Sequence, residues 1–322
     1  MDLYYIQNYS WEVWERLRSH PFISKTIFAF GTANTVTVGI EHRKVVEEVK
    51  DILLMLHSCM SIYKKTSEIS SLNHMAGCGF VFINPEIYDL IRRSVVYSKL
   101  TKGAFDITAL PLKKLWQTAE QIPSEAQIQH TKKLVNYKKM VFSDNKIMLK
   151  YSGMGVDLGG IAKGFAADKV AELLKGRGIA SGVINFGGTV FVLGEERPVG
   201  IQTPFGKTGT CMGTIRVKNK AVVTSGAYEN YRMINGTAYQ HILDPHTGYP
   251  VNNELLGVTL IGAKAEELDA LATGVCVMGI QKGFALLKKR QIDAIFIKKD
   301  GSVLLTEGIK EYFSFKETIY EA

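Results

Sequence analysis

The sequence predicts an α+β protein. Helical and strand patterns come in clusters rather than in strict alternation, which favours α+β over a doubly wound sheet. The 322 residues correspond to about two domains, or to one large domain with two lobes. Hydrophobic residues make up 46% and charged residues 22%, which is ordinary globular usage and excludes disordered, collagen-like and coiled-coil chains.

The first half of the chain carries one strand pattern followed by two amphipathic helices. The strand pattern is rich in β-branched and aromatic residues, and the helix patterns place aliphatic residues at helical spacing. The second helix ends at Lys102-Gly103, a typical C-terminal signal, and Pro123-Ser124-Glu125 is typical of a further helix start. In order, the elements are a strand at 26–40, helices at 43–58 and 86–101, and a polar connecting insertion at 117–135.

The second half predicts hairpins and strands around two helices. Asp144 lies at the centre of the first hairpin, and an Asp300-Gly301 turn joins the last strand pair. The longer of the two helices breaks at Gly279. The predicted elements are a hairpin at 139–151, a strand at 156–158 leading into a helix to 174, strands at 181–194, 197–203 and 213–223, a helix at 263–290, and two strands within 292–306.

Charge and cysteine usage limit the classes of partner. The 39 Lys and Arg residues against 31 Asp and Glu residues give a net charge of +8, which favours anionic partners. Basic pairs such as Lys113-Lys114 are scattered and not interleaved with aromatic residues, so solvated surfaces are favoured and no nucleic-acid partner is predicted. The four cysteines lie far apart and form no CxxC pair, which indicates a reducing compartment rather than disulfides or zinc.

The N-terminal segment carries no pattern of export. Charged residues interrupt every apolar run within the first 30 residues, so no signal peptide is predicted. No stretch of 18 uncharged apolar residues occurs, so no transmembrane helix is predicted. We therefore expect a cytoplasmic protein without a membrane partner.

Asp269 and Thr273 form the first candidate for chemistry. They are four residues apart on a predicted helix and so share one face. A carboxylate and a hydroxyl placed in this way offer hard oxygen ligands to Mg²⁺, and a loop carbonyl could add a third. The structural alternative is an acid in the first turn with a threonine bonded back to its own helix, and spacing alone favours that alternative.

A double glycine between a predicted strand and helix forms the second candidate. Gly159-Gly160 lets the backbone approach a bulky ligand, and the free N–H groups at the helix start favour an anion. Lys163, early in the helix, could meet a phosphate or pair with Asp157. A tight turn with a solvated lysine is an equally good interpretation, because the motif is neither a P-loop nor GxGxxG.

His241 and Asp244 form the third candidate, at the start of a Pro/Gly turn. A histidine at a strand end could act as general base near neutral pH. The alternative is an Asx turn built on Asp244 with His241 as a neighbour. Three further polar segments are interpreted as ordinary turns or loops, although each could approach a ligand: Gly103–Asp106, Asn185–Gly188 and Ser67–Asn73.

Taken in order, these segments resemble the FAD:protein FMN transferase family, called ApbE. Eight short blocks match in family order and together span most of the chain. The blocks are FGT at 30–32, YKKTSEISSLN at 63–73, GAFDITALPL at 103–112, VDLGGIAKG at 156–164, NFGG at 185–188, TSG at 224–226, HILDPHTG at 241–248 and DALAT at 269–273.

The resemblance implies an enzyme of protein flavinylation. Family members bind FAD, split its pyrophosphate with Mg²⁺ and attach the FMN half through a phosphoester to a Ser or Thr hydroxyl of an acceptor flavoprotein, releasing AMP. The implied fold is a two-lobed, T-fold-like α+β structure, a single domain over 1–322, with FAD in the cleft between the lobes. The boundary between the lobes falls near the insertion at 117–135.

The resemblance also implies roles for particular residues. Asp269 and Thr273 would be side-chain metal ligands, the carbonyl of Ala162 would be a third ligand, and His241 matches the catalytic histidine. The residues that would line the FAD site are Phe30, Tyr63, Ala104, Phe105, Asp106, Lys163 and Leu243.

Three positions depart from the family pattern, and none of them is a proposed metal ligand or the matched catalytic histidine. Phe30 stands where the family usually has Met, Ile107 where Pro is common, and Ala227 where a polar residue is frequent. The same metal and diphosphate chemistry would also serve an FAD pyrophosphatase that yields FMN and AMP. A non-catalytic FAD carrier is a further alternative. The sequence contains no acceptor motif of its own, so modification of the chain by itself is not expected.

Overall fold

The fold is organised around an eight-stranded antiparallel sheet. The computed structural model describes residues 21–204, 206, 210–226, 231–234 and 236–315. In spatial order the strands of this sheet are β1 (Phe22–Ala29), β2 (Thr32–Gly39), β6 (Gly182–Phe186), β7 (Thr189–Leu193), β10 (Lys220–Gly226), β13 (Leu255–Gly262), β14 (Asp293–Lys298) and β15 (Val303–Leu305).

Smaller sheets and helices complete the described part of the chain. One three-stranded sheet contains β3 (Val81–Phe82), β4 (Met140–Ser143) and β5 (Lys146–Leu149); a second contains β8 (Arg197–Gln202), β9 (Cys211–Val217) and β16 (Phe313–Phe315). A two-stranded ribbon consists of β11 (Tyr231–Ile234) and β12 (Thr237–Gln240). The helices are α1 (Val45–Met60), α2 (Glu68–His74), α3 (Pro85–Leu100), α4 (Leu110–Thr118), α5 (Glu125–Lys132), α6 (Ala162–Gly176) and α7 (Ala265–Arg290).

The main sheet is covered on both faces over its central strands. Helices α1, α6 and α7 pack together and against the sheet, and they form the largest apolar core with it. The sheet of β8, β9 and β16 covers the other face, where Ile201, Ile215 and Phe313 meet Val222 and Ile295. Helices and strands are thus segregated into layers, which confirms the predicted α+β class.

Most predicted elements are present with bounds close to those expected. Helices α1 and α3 match 43–58 and 86–101, and α5 begins at the predicted start, where Ser124 and Gln127 form a capping box. The hairpin of β4 and β5 turns at Asp144-Asn145, and β14 and β15 flank the predicted Asp300-Gly301 turn.

Three single-strand predictions were wrong because a turn divides the segment. The segment 26–40 contains β1 and β2, which turn at Phe30-Gly31, where φ is 55° and 75°. Left-handed φ at both central residues is what a two-residue hairpin requires. In the same way Gly187-Gly188 separates β6 from β7. The segment 213–223 likewise belongs to two strands, β9 and β10, with Asn219 in left-handed conformation between them.

Two further predictions were wrong for reasons of side-chain hydrogen bonding. The segment Ser67–Asn73, interpreted as a loop, belongs to α2, because Ser67 caps the helix by accepting the N–H of Ser70 at 2.9 Å. The predicted strand at 156–158 does not form. Instead the Asn73 side-chain amide occupies both backbone groups of Val156, at 2.6 and 2.9 Å.

The long helix α7 breaks at Gly279, as predicted, where φ is 75° and ψ is 176°. The carboxylate of Glu254 accepts the N–H of Ile280 at 3.0 Å and so caps the second half of the helix. Of the described helices, α7 is the one long and apolar enough to cross a membrane by length and composition, and half of its apolar window is buried inside the protein. A long apolar helix buried in a protein core meets the same two criteria, length and hydropathy.

Asp168 fastens the start of α7 to α6. Its two carboxylate oxygens accept the N–H groups of Ala265 and Glu266, each at 3.0 Å. These N–H groups lie in the first turn of α7 and have no partner within the helix. Burial raises the pKa of Asp168 to about 6, against the effect of the two backbone hydrogen bonds.

We expect the stability conferred by Asp168 to decrease as the pH rises. Its pKa is about 6 in the folded protein against 3.8 for an ordinary aspartate, so between these values the folded state binds more protons. Asp168 therefore contributes about 3 kcal/mol less to the free energy of unfolding above this interval than below it. Urea unfolding at several pH values checks this, with Asp168→Asn as the variant that cannot titrate. The stability advantage of the wild type over this variant should shrink from about pH 4 to about pH 6, and a growing advantage would contradict the assignment.

Candidate active site

The turn before α6 is fixed by Asp157. Its carboxylate accepts the N–H of Gly159 at 2.9 Å and pairs with the ammonium of Lys113 at 2.5 Å. Lys113, interpreted from sequence as part of a solvated surface, is thus a half-buried partner of the turn. From sequence, Lys163 could meet a phosphate or pair with Asp157. Asp157 instead binds Lys113 and the N–H of Gly159. The half-buried Lys163 ammonium has no acceptor in the described part of the chain, so it is available to an anion.

Asp269 lies where α6 and α7 make their closest approach. The side chain is 4% exposed, and its Oδ2 accepts the N–H of Gly164 at 2.9 Å. No donor among the described residues reaches its Oδ1. A Cβ at Gly164 would fall against the carbonyl oxygen of Ala265 and 2.7 Å from the Cβ of Asp269. The absence of a side chain at Gly164 is thus what brings the Asp269 carboxylate to the start of α6.

Thr273 lies one turn further along α7. Its hydroxyl donates to the backbone carbonyl of Asp269 at 3.3 Å, so the expected bond back to its own helix does form. The hydroxyl oxygen keeps its lone pairs and also lies 3.1 Å from where a Cβ of Gly160 would be. Gly160 and Gly164 flank Ala162, the first residue of α6, so Ala162 lies in the short segment whose two ends contact Thr273 and Asp269.

This arrangement fits a hard divalent cation. The set contains one carboxylate with an unused oxygen and two neutral oxygens, from a hydroxyl and a carbonyl. In the described residues no group of three or more His, Cys, Asp or Glu side chains could hold a metal. A site with one carboxylate suits Mg²⁺, which keeps several waters and takes further ligands from substrate phosphates.

We expect Gly164→Ala to disturb this site and the helix packing together. The added methyl group meets backbone on α7, so the helices must separate, at a cost of about 1–3 kcal/mol. Gly176→Ala in the same helix is the matched control, because no atom lies within 4 Å of its added Cβ. The control should leave stability unchanged or raise it by up to about 1 kcal/mol. Urea unfolding checks both, and equal stability of the two variants would contradict the close approach.

The loop after α3 supplies the next predicted residues. Ala104 and Phe105 are buried, and the N–H of Phe105 donates to the hydroxyl of Thr101 at 3.0 Å. The Phe105 ring lies 3.4 Å from where a Cβ of Gly160 would be. The Cβ of Phe105 lies 3.3 Å from where a Cβ of Gly274 would be. The loop therefore packs directly on the group formed by Ala162, Asp269 and Thr273.

Asp106 is engaged in shaping this loop. Its carboxylate accepts the N–H and the hydroxyl of Thr108 at 2.8 and 2.7 Å, and the N–H of Tyr137 at 3.0 Å. Burial raises the pKa of Asp106, while these hydrogen bonds and the nearby His246 act in the opposite direction. Ile107, at the position where the family often has Pro, accepts the N–H of Asp157 through its carbonyl at 2.8 Å.

The segment after β12 carries His241 and Leu243. His241 is exposed directly after the strand, and Leu243 forms a bridge with Pro250 and packs near Trp116. Asp244 forms the expected Asx turn, because its carboxylate accepts the N–H of His246 at 2.8 Å. The Asx turn that was the structural alternative for this motif is thus present, and the His241 side chain lies at the surface.

Two predicted FAD-lining residues lie on the side of α1. Phe30, in the β1–β2 turn, donates its N–H to Nδ1 of His57 at 3.2 Å, and the two rings meet edge to face at 5.6 Å. Tyr63 follows α1 and is 77% exposed. Neither the bond to His57 nor the ring contact connects Phe30 to Asp269, Thr273 or Ala162. Ala227 lies outside the described residues.

Sequence reasoning missed two residues that shape this site. The Asn73 amide holds the backbone before the glycine turn, and His246 connects the Asp244 turn to the loop after α3 through the carbonyl of Lys102. Both bonds join segments far apart in sequence, so no local pattern signals them.

Comparison with known proteins gives a consistent result. The model of the ApbE family matches residues 30–296. A protein named FAD:protein FMN transferase from Klebsiella pneumoniae is 32% identical over 268 residues, which covers 81% of this chain and 84% of that protein. Its namesake from Vibrio cholerae is 30% identical over 294 residues, covering 88% and 84%.

Solved structures share the fold. The ApbE protein of Thermotoga maritima has a TM-score of 0.84 at 29% identity, covering 90% of this chain and 99% of that chain. The flavin transferase ApbE of Vibrio cholerae has a TM-score of 0.81 at 24% identity, covering 91% and 99%. The latter likeness concerns the fold alone.

Proposed function

This chain belongs to the ApbE family, and we propose that it is an enzyme that transfers the FMN half of FAD to an acceptor flavoprotein. In the finer form of this proposal, the acceptor is a Ser or Thr hydroxyl within a flavinylation motif, the reaction depends on Mg²⁺, and AMP is released. The observation that supports the proposal is that Asp269 contacts Gly164 and Thr273 lies beside Gly160, on either side of Ala162 at the start of α6.

The proposed metal site supplies charge neutralisation. Asp269 and Thr273 would hold Mg²⁺ through their side chains and Ala162 through its carbonyl, and Oδ1 of Asp269 accepts no hydrogen bond from the described residues. When bound, the ion neutralises the diphosphate oxygens and the charge that develops on departing AMP. The chain's own contribution is to keep these three oxygens in place by the packing of α6 on α7.

The reaction exchanges one phosphorus–oxygen bond for another. The acceptor hydroxyl oxygen forms a bond to the phosphorus of the FMN half, and the bond from that phosphorus to AMP breaks with its electron pair on AMP. His241 would take the proton of the attacking hydroxyl, as its exposed position allows. Lys163, whose ammonium is available at the start of α6, would hold the anionic diphosphate. The flavin ring itself undergoes no redox change.

The FAD site would lie in the cleft between the two lobes. The buried pair Ala104 and Phe105 packs beside Gly160, so the loop after α3 would place the substrate near the metal ligands. The residues proposed to line FAD are Phe30, Tyr63, Ala104, Phe105, Asp106, Lys163 and Leu243. The four cysteines lie far apart in the sequence and form no CxxC pair, which supports the proposal that the enzyme works in the reducing cytoplasm, without a nucleic-acid or membrane partner.

Intact-mass spectrometry of an acceptor domain tests the function. The domain is incubated with this protein, FAD and Mg²⁺, and a mass gain of one FMN that EDTA abolishes is expected. Free FMN and AMP without a mass gain would instead identify an FAD pyrophosphatase, in which water replaces the hydroxyl. FAD that stays intact under all conditions would identify a carrier and would contradict the proposal.

A further inference from the structure

His246 joins two loops that are 144 residues apart in sequence. Its Nδ1 lies 2.9 Å from Oδ1 of Asp244, and its Nε2 lies 2.9 Å from the carbonyl oxygen of Lys102. Both oxygens are acceptors. Asp244 and His246 belong to the same turn, so the bond between Nε2 and the Lys102 carbonyl is the one that joins the two loops, and it requires an N–H on Nε2.

The two loops are those that carry most of the proposed substrate contacts. Lys102 directly precedes the segment 103–106, which packs beside the metal ligands. Asp244 directly follows Leu243 and lies three residues after His241. The ring of His246 therefore sets the distance between the FAD loop and the segment that carries the proposed general base.

The backbone at Lys102 forms the turn that ends α3. Lys102 and Gly103 have φ of 55° and 90°, and the N–H of Gly103 donates to the carbonyl of Ser98 at 2.7 Å, as in a common helix C-terminal turn. The bond from Nε2 of His246 to the Lys102 carbonyl adds a contact from outside this turn.

Asp106 gives a second, electrostatic connection. Burial raises the pKa of the partly buried Asp106, and a protonated His246 acts against that rise. A charged His246 therefore favours the ionised Asp106, whose oxygens bind Thr108 and Tyr137 and so shape the loop.

We propose that His246 is a positioning residue for flavin transfer, which holds the loop 101–106 against the segment 241–246 by donating from Nε2 to the carbonyl of Lys102. This role rests on the proposed function. His246 does not touch the reacting atoms in this scheme, and it acts through the positions of Phe105 and His241. An error of about 1 Å between such groups is enough to slow a reaction by about 100-fold.

Two substitutions separate the proposed role from simple packing. His246→Ala removes the donor to the Lys102 carbonyl, whereas His246→Arg offers several N–H donors that can reach it. His130→Ala, at an exposed histidine on α5, is the matched control. Amide hydrogen exchange of the peptides covering 101–108 and 241–250 measures whether the loops stay joined, and FAD fluorescence titration and FMN transfer measure the consequence.

For His246→Ala we expect exchange in both peptides to rise by about tenfold or more, because the hydrogen bond to the Lys102 carbonyl is lost. The transfer kcat should fall by about 10- to 100-fold, and His246→Arg should restore both properties to within a few fold. Unchanged exchange at 101–108, or raised exchange with an unchanged transfer rate, would overturn the proposal. If the wild type transfers no FMN, the proposed function fails, and exchange and FAD affinity still decide whether His246 joins the loops.

Discussion

Replacing Asp269 with alanine is expected to lower FMN transfer by about 10³-fold or more and to abolish its response to Mg²⁺. Asp269 supplies the only carboxylate of the proposed ligand set, and its Oδ1 has no donor among the described residues. Without it, the hydroxyl of Thr273 and the carbonyl of Ala162 remain. Neutral oxygens alone bind Mg²⁺ weakly, so the charge of the diphosphate stays uncompensated.

A conservative variant shows whether charge or packing is responsible. Asp269→Asn keeps an oxygen that can accept the N–H of Gly164 and so retains the contact between the helices. Asp89→Asn, an exposed aspartate on α3, controls for the loss of one negative charge. Transfer rates are measured across a Mg²⁺ titration, with thermal unfolding of each variant. An Asp269→Asn protein that is folded and follows the wild-type titration curve would show that the metal binds elsewhere.

Replacing His241 with alanine is expected to slow transfer by about 10²- to 10⁴-fold while FAD affinity stays close to that of the wild type. The side chain is exposed directly after β12, on the segment that His246 joins to the FAD loop. In this position it would receive the proton of the acceptor hydroxyl and contribute little to holding FAD. Single-turnover transfer at saturating FAD measures the chemical step, and flavin fluorescence measures the affinity.

The matched control for this variant is His130→Ala. His130 is exposed on α5 and takes no part in the proposed site, so both transfer and FAD affinity should be unchanged. Transfer by His241→Ala at the wild-type rate would remove His241 from the mechanism. A large loss of FAD affinity would give it a binding role instead.

Local patterns predicted much of the fold, because several helices carry apolar residues at helical spacing and glycines mark where helices end or break. The segment of α1 shows the spacing, and the break of α7 at Gly279 shows the effect of glycine. One error arises where another part of the chain competes for the backbone, since Asn73 binds both backbone groups of Val156. The strand errors arise at turns such as Phe30-Gly31, where left-handed φ divides a continuous strand-like pattern. Helix α4 was not predicted.

In the candidate site, too, local spacing predicted some features and long-range packing determined the others. The spacing of Asp269 and Thr273 predicts that they share a helix face, and the structure has them one turn apart on α7. Their neighbours across the site could be named only through the family resemblance. The contact with Gly164 depends on how closely two helices pack, and packing distance has no signature in the spacing of either helix.

The bond between Gly164 and Asp269 connects residues 105 positions apart in the chain. Contacts of such long range cost loop-closure entropy and form late in folding. Neither α6 nor α7 holds more than part of the proposed oxygen set, so a partly folded chain with both helices formed but apart would lack the proposed ion site. On this proposal, the protein would gain the packing of α6 on α7 and its ability to bind the ion in the same folding step.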